Sequence, residues 1–247
     1  MRKIFFKTLI FIFLIQTSAE CSSQMAKKDV REIKASAIIA QLNAGKHIYL
    51  THCIVWGDLD FTTLRNRNRI SNNLTQVFVD QSITFDDCIF INQVKAYDAT
   101  AGVCVEFAHN LSFIGCDFRG EVDFTESIVG GHLFFTGSVF RGIAHFQGAH
   151  FRHKKTYFNE TQFEDEALFQ NAVFAGDANF MHAVFHSSAL FQKVVAGGLM
   201  FFGNVRFNGY ADFTYAHAAE SIFRYAQFNG RSDFSDSNLT PDMQIDN

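Results

Sequence analysis

From Phe107 to Leu239 an apolar anchor returns after five or six residues in near-regular alternation, broken by a seven-residue step from Phe151 to Phe158 and a five in place of a six from Ala218 to Phe223. Phe107, Phe113, Phe118, Phe124 and Val129 begin the series. Phe163, Phe169, Phe174, Phe180, Phe185 and Phe191 continue it, with Ala196 and Ala218 standing where Phe is due. An amphipathic helix needs apolar spacings of three and four, and a flat strand needs strict alternation, so neither fits. A short extended piece followed by a turn does fit. Each piece is too short to bury its own anchor, so a core forms only when the pieces stack as coils. The 31 Phe are mostly this series, and the single Pro removes little backbone donor capacity from the ladders. Large side chains on one axis leave no room for a ligand inside, which argues against a central active site.

A smaller residue stands two places before most anchors. Ala144, Ala149, Ala167, Ala172, Ala178, Ala183, Ala189, Ala211 and Ala226 fill this place, and Ser, Thr or Cys116 fill others. Residues two apart on extended chain point the same way, so each piece turns a small residue and an anchor inward. The segments A-N-F-M-H (178–182), A-V-F-H-S (183–187) and A-L-F-Q-K (189–193) show the unit plainly. This pattern resembles the pentapeptide-repeat family, with one residue added to every second repeat. The resemblance is strong over 107–239 and weaker over 47–96. It implies an all-β, right-handed quadrilateral parallel β-helix, a solenoid with four repeats per coil. One coil would then take about 22 residues, the sum of two five-six pairs.

Before residue 107 the pattern is interrupted. Leu50, Val55 and Phe61 follow the rule, as do Phe85, Phe90 and Ala96. Residues 62–76 read as a polar insertion, expected to be a surface loop, and 97–104 as a second insertion. Ile33, Ala37, Ile38 and Leu42 have near-helical spacing with Gly45 after them, so 20–46 is expected to be a linker and a short N-terminal capping helix. The solenoid is expected over 47–240 and a tail over 241–247, with Pro241 ending the ladder.

Residues 1–19 read as an export signal. Arg2 and Lys3 precede an apolar stretch from Ile4 to Ile15, and Thr17, Ser18 and Ala19 offer a cleavage site. Cleavage there removes three of the 21 basic residues, leaving 18 against 25 acidic ones, a charge of about −7. Cys21 lies just beyond, a candidate for lipidation, although Glu20 and Ser18 make a poor motif for it. The expected location is the periplasm, cell envelope or outside the cell, with membrane contact only through a lipid on Cys21.

Candidate sites are few. No GxSxG, HExxH or Gly-rich phosphate loop occurs, so no enzyme, cofactor or metal is expected. The ten His read as solvated, and no two stand a full coil apart to make a ladder. Cys53, Cys88 and Cys116 take the inward small place, and a Cys88–Cys104 or Cys88–Cys116 disulfide is open in an exported chain. Arg65, Arg67 and Arg69 are a candidate anion-binding loop, set against a merely solvated one. Asp212 and Asp233 read as turn or face residues. Counting every fourth anchor puts Ser112, Phe134, Tyr157, Asn179, Phe201 and Ile222 on one face. Phe134, Tyr157, Phe201 and Ile222 would form an exposed stripe for a protein partner or a second copy, or simply reflect β propensity. Another face would carry Ile128, His150, Val173, Val195 and His217.

The expected function is a non-enzymatic, exported scaffold or binding protein of the cell envelope, acting through outer faces and inserted loops. Two alternatives stand beside it. The family resemblance implies an acidic DNA mimic that binds a topoisomerase, as in some members, although the export signal opposes it and no nucleic acid binding is expected. A β-helix could also bind or act on a polysaccharide.

Overall fold

The computed structural model describes residues 30–241. The expected export signal at 1–19, the lipidation candidate Cys21 and the tail beyond Pro241 lie outside the described residues. The described chain winds as a right-handed parallel β-helix with four faces. The first face begins at Ile48–Thr51, the second at Cys53–Trp56, the third at Leu59–Asp60 and the fourth at Leu74–Val79. Strands of the second face form a nine-stranded sheet and those of the third an eight-stranded sheet. The first and fourth faces share a fifteen-stranded sheet, because Val195–Phe201 and His217–Ile222 run unbroken around their common corner.

The turns explain the alternating step. Most five-residue steps close with a bond in which the anchor carbonyl accepts from the N–H three residues on. Ser127 N–H donates to Phe124 O at 3.1 Å, and Ala183 N–H to Phe180 O at 3.0 Å. The third residue of each such turn is left-handed, as Glu126 (φ 53°) and His182 (φ 59°) show, which is the type II requirement. These turns occupy two opposite corners, after the first and third faces. The other corners are mostly six-residue steps, which turn through one extra residue without positive φ except at Gly57 (φ 84°).

Stacking makes the core. Along each column rings lie parallel, as Phe158 and Phe180 do at 5.0 Å and 3°. Between columns they meet edge to face, as Phe169 and Phe180 do at 5.5 Å and 90°. Both arrangements suit the ring quadrupole. Buried hydroxyls in the small place are satisfied by carbonyls: Ser138 Oγ donates to Phe113 O at 2.9 Å and Thr161 Oγ1 to Phe158 O at 2.6 Å.

The corner between the fourth and first faces trades volume between two places. Phe151 and Phe174 are followed by inward Thr156 and Ala178. Val79, Val129 and Ala196 are followed by inward Ile83, Leu133 and Met200, all buried. A shortened anchor therefore comes with a lengthened next side chain, and the core does not simply narrow at Ala196. Phe107 with Leu111, and Ala218 with Ser221, depart from this exchange.

The N-terminal end is covered. The expected linker contains a strand, Arg31–Lys34, that pairs with Cys53–Trp56 and covers the edge of the second face. The helix is shorter than its spacing implies, Ala35–Asn43. Ala35, Ile38 and Leu42 are buried, whereas Ala37 is exposed and Ile33 belongs to the strand. At the far end Asn238 imitates a peptide. Its Nδ2 donates to Ala218 O at 2.8 Å and its Oδ1 accepts from Ala218 N–H at 3.0 Å.

The insertion at 62–76 is a hairpin and not a surface loop. Arg67–Ser71 pairs antiparallel with Leu74–Val79, which then serves as a rung of the fourth face. Residues 97–104 likewise double back, Tyr97–Asp98 against Val103–Phe107. Asp98 Oδ1 caps that turn by accepting from Thr100 and Ala101 N–H.

Candidate interaction face

The first face is the widest in the middle of the rod. Lys155–Tyr157 and Asp177–Asn179 are three residues long, and the next rungs run on around the corner. The register stacks Ser112, Phe134, Tyr157, Asn179, Phe201 and Ile222 in one column. Ile128, His150, Val173, Val195 and His217 form the equivalent column of the fourth face. The first-face stripe is half-buried, which corrects the expectation of full exposure. The reason is mutual cover: Phe134 and Tyr157 stack at 4.9 Å and 4°. Phe201 is accommodated by Gly203, where a Cβ would stand 2.8 Å from the ring.

Asn179 interrupts the rings. Its Oδ1 accepts from Met181 N–H at 2.9 Å, so the amide is drawn toward the turn. A groove of about 130 Å³ results, lined by Tyr157, Asn179 and Phe201 of the column and by Lys155, Asp177 and Leu199 beside it. Two rungs at the usual strand spacing separate Tyr157 from Phe201 by about 9–10 Å. One more ring at the Asn179 level would stand about 4.8 Å from each wall, close to the Phe134–Tyr157 spacing.

At the other end of the column His132 and His153 touch, with ring centroids 3.6 Å apart. The two do come together, against the expectation of no stacked His. The seven-residue step from Phe151 to Phe158 is the cause, since its extra residue puts His153 at the corner beside His132. The buried Nδ1 atoms of both lack a hydrogen-bond partner. Burial, then the neighbouring His132 and Lys154, holds the His153 imidazole below its usual range. His182 and His186 are exposed.

The arginines do not converge. Arg67 donates to Thr62 O and Leu64 O, and Arg69 to Ser71 O and Asn72 O. Both guanidinium groups thus brace the hairpin backbone. Arg65 lies apart, beside Asn43 of the helix. The four described cysteines, Cys53, Cys88, Cys104 and Cys116, are free thiols. Cys104 lies on the fourth face and Cys88 at the start of the second, and the sulfur facing Cys88 is that of Cys53. Asp212 is buried rather than a plain face residue. It accepts from Gln192 at 2.7 Å, Tyr210 at 3.0 Å and Thr214 N–H at 2.9 Å. Among the described residues no group of three or more His, Cys, Asp or Glu is placed to hold a metal ion. None of their helices is long and apolar enough to cross a membrane.

A family model described as pentapeptide repeats (9 copies) matches residues 153–195. No curated protein and no solved structure matches the chain. Proteins of this kind are generally structural or interaction proteins. The matched segment carries pentapeptide repeats, and the four-sided coil and inward small-and-Phe pairs continue the same pattern on either side of it.

Proposed function

We propose that the protein is an exported, non-enzymatic scaffold of the cell envelope that docks an aromatic side chain of a protein partner in the groove over Asn179. The observation that carries the docking is the interrupted ring column, with aromatic walls one rung to either side. Lys155 and Asp177 flank the groove and offer opposite charges to a hydroxyl or an indole N–H. Export is supported by the basic and apolar start of the chain, Arg2 to Ala19, and anchoring by Cys21.

Titration with p-cresol and indole, the Tyr and Trp side-chain analogues, tests the groove by amide NMR. Shifts centred on Asn179 and Phe201, lost in Asn179→Phe, are expected. Absence of shifts with both analogues overturns the docking. Shifts there with an oligosaccharide alone transfer the face to the polysaccharide reading. Cell fractionation with N-terminal sequencing tests export. A chain starting at Glu20, or at a lipidated Cys21, is expected; an unprocessed cytoplasmic chain refutes export and returns weight to the topoisomerase-binding alternative.

A further inference from the structure

We infer that Cys53 and Cys88 are a disulfide-forming pair that staples the first coil to the second under oxidising conditions. Ile54 pairs with Ile89 and Val55 with Phe90, so the two cysteines hold the same place on neighbouring coils. Their sulfurs are 3.2 Å apart and buried. In-register neighbours on adjacent strands have Cα atoms about 4.8 Å apart, inside the range a disulfide spans, about 4.4–6.8 Å. Cys116 occupies the same place one coil further, since Asp117 pairs with Ile89. Its thiol makes the same kind of carbonyl contacts as Cys88, to Phe85 O and Ile114 O at 3.6 and 3.5 Å, whereas the close sulfur–sulfur contact joins Cys53 and Cys88. The geometry therefore selects one pair from three stacked cysteines.

Either sulfur can be the donor in the contact between them, so either can attack first, as in a route that begins at Cys88. The oxidant is a small disulfide such as glutathione disulfide. The Cys88 thiolate attacks one of its sulfurs, the S–S bond breaks, and one glutathione leaves as thiolate. The Cys53 sulfur, losing its proton as it attacks, then displaces the second glutathione. Two protein thiols are oxidised and one glutathione disulfide is reduced to two glutathione thiols. Both sulfurs are buried, so the exchange takes place before the end coils close. The linkage encloses the hairpin Arg67–Val79 and ties the first coil, covered on its other side by Arg31–Lys34, to the second.

The full chain is unfolded, refolded with glutathione and its disulfide, alkylated and digested without reductant. A linked peptide pair carrying Cys53 and Cys88, with two fewer alkylated thiols, is expected. Full alkylation of every thiol, or linkage through Cys104 or Cys116 in place of this pair, overturns the inference. Cys53→Ser must abolish the linked species; Ser138 already fills the same column. Should that variant fail to fold, Cys116→Ser keeps both partners and must still form the link, and its failure to do so is equally decisive.

Discussion

Phe163 and Phe185 lie one coil apart with ring centroids 4.7 Å apart and planes 3° from parallel. Each also meets a third-face ring at its edge, Phe169 and Phe191 respectively. A buried Phe here is therefore held from above, below and beside. Phe163→Ala should cost about 3–5 kcal/mol, read as a fall in the urea midpoint. Phe185→Ala should cost the same, and the double variant less than the sum, because the rings share a contact. Strict additivity would mean that the stack contributes nothing.

The volume exchange at the fourth-to-first corner predicts a rescue. Met200→Ala removes a fully buried side chain and should destabilise by about 2–5 kcal/mol. Ala196→Phe alone should overpack by about 1–3 kcal/mol. Combined, they reproduce the Phe174 and Ala178 arrangement one coil earlier, and the double variant should recover most of the loss. Denaturant unfolding of the four proteins measures this directly. A double variant as unstable as the two losses added would refute the exchange.

Two glycines separate backbone conformation from crowding. A Cβ at Gly137 (φ 67°) would meet nothing within 4 Å, so only its left-handed conformation opposes a side chain. Gly137→Val should cost about 1–2 kcal/mol and Gly137→Asn much less. Gly176 has no such φ, but a Cβ there would strike the Lys154 backbone. Gly176→Ala should therefore destabilise although Ala is the better conformer elsewhere. Equal tolerance of Ala and Val at both sites in thermal melts would contradict both explanations.

Asn179→Phe completes the ring column. Aromatic pairing beyond burial is worth about 0.5–1.5 kcal/mol, so the variant should be at least as stable as the parent while losing the groove. A rise in the thermal midpoint together with loss of the indole response is expected. Retained binding with a filled groove would relocate the docking.

His153 sets a pH dependence. Its folded titration lies below the usual value of about 6.5, chiefly through burial and then through His132 and Lys154. The unfolded chain takes up this proton first as the pH falls. Stability is therefore full above about 6.5 and declines from there down to the depressed folded value. His153→Asn should flatten that decline in urea midpoints measured between pH 7 and 5, and an unchanged slope would assign it elsewhere.

Much of the fold was legible because the inward place is a local requirement. Each short piece must carry its own apolar anchor, so the step of five and six residues is written along the chain. With a nearly constant coil from residue 107 onward, even the column Phe134, Tyr157, Asn179, Phe201 could be counted out from the anchors. The half-burial of that column and the groove over Asn179 could not, since both arise from rings packing on one another across coils.

The count fails earlier, where the hairpin at Arg67–Val79 hides the anchor Val79 and lengthens the coil. Cys53 and Cys88 stand 35 residues apart, far from one regular coil, and only the folded hairpin brings them into register. His132 and His153 meet for the same reason, through an added residue at one corner. The sequence by itself determined the four-sided rod and its inward ladder, because burial repeats with the chain. Tertiary structure alone decided which side chains meet across irregular coils, because insertions shift the spacing along the chain while stacking preserves the spacing in space.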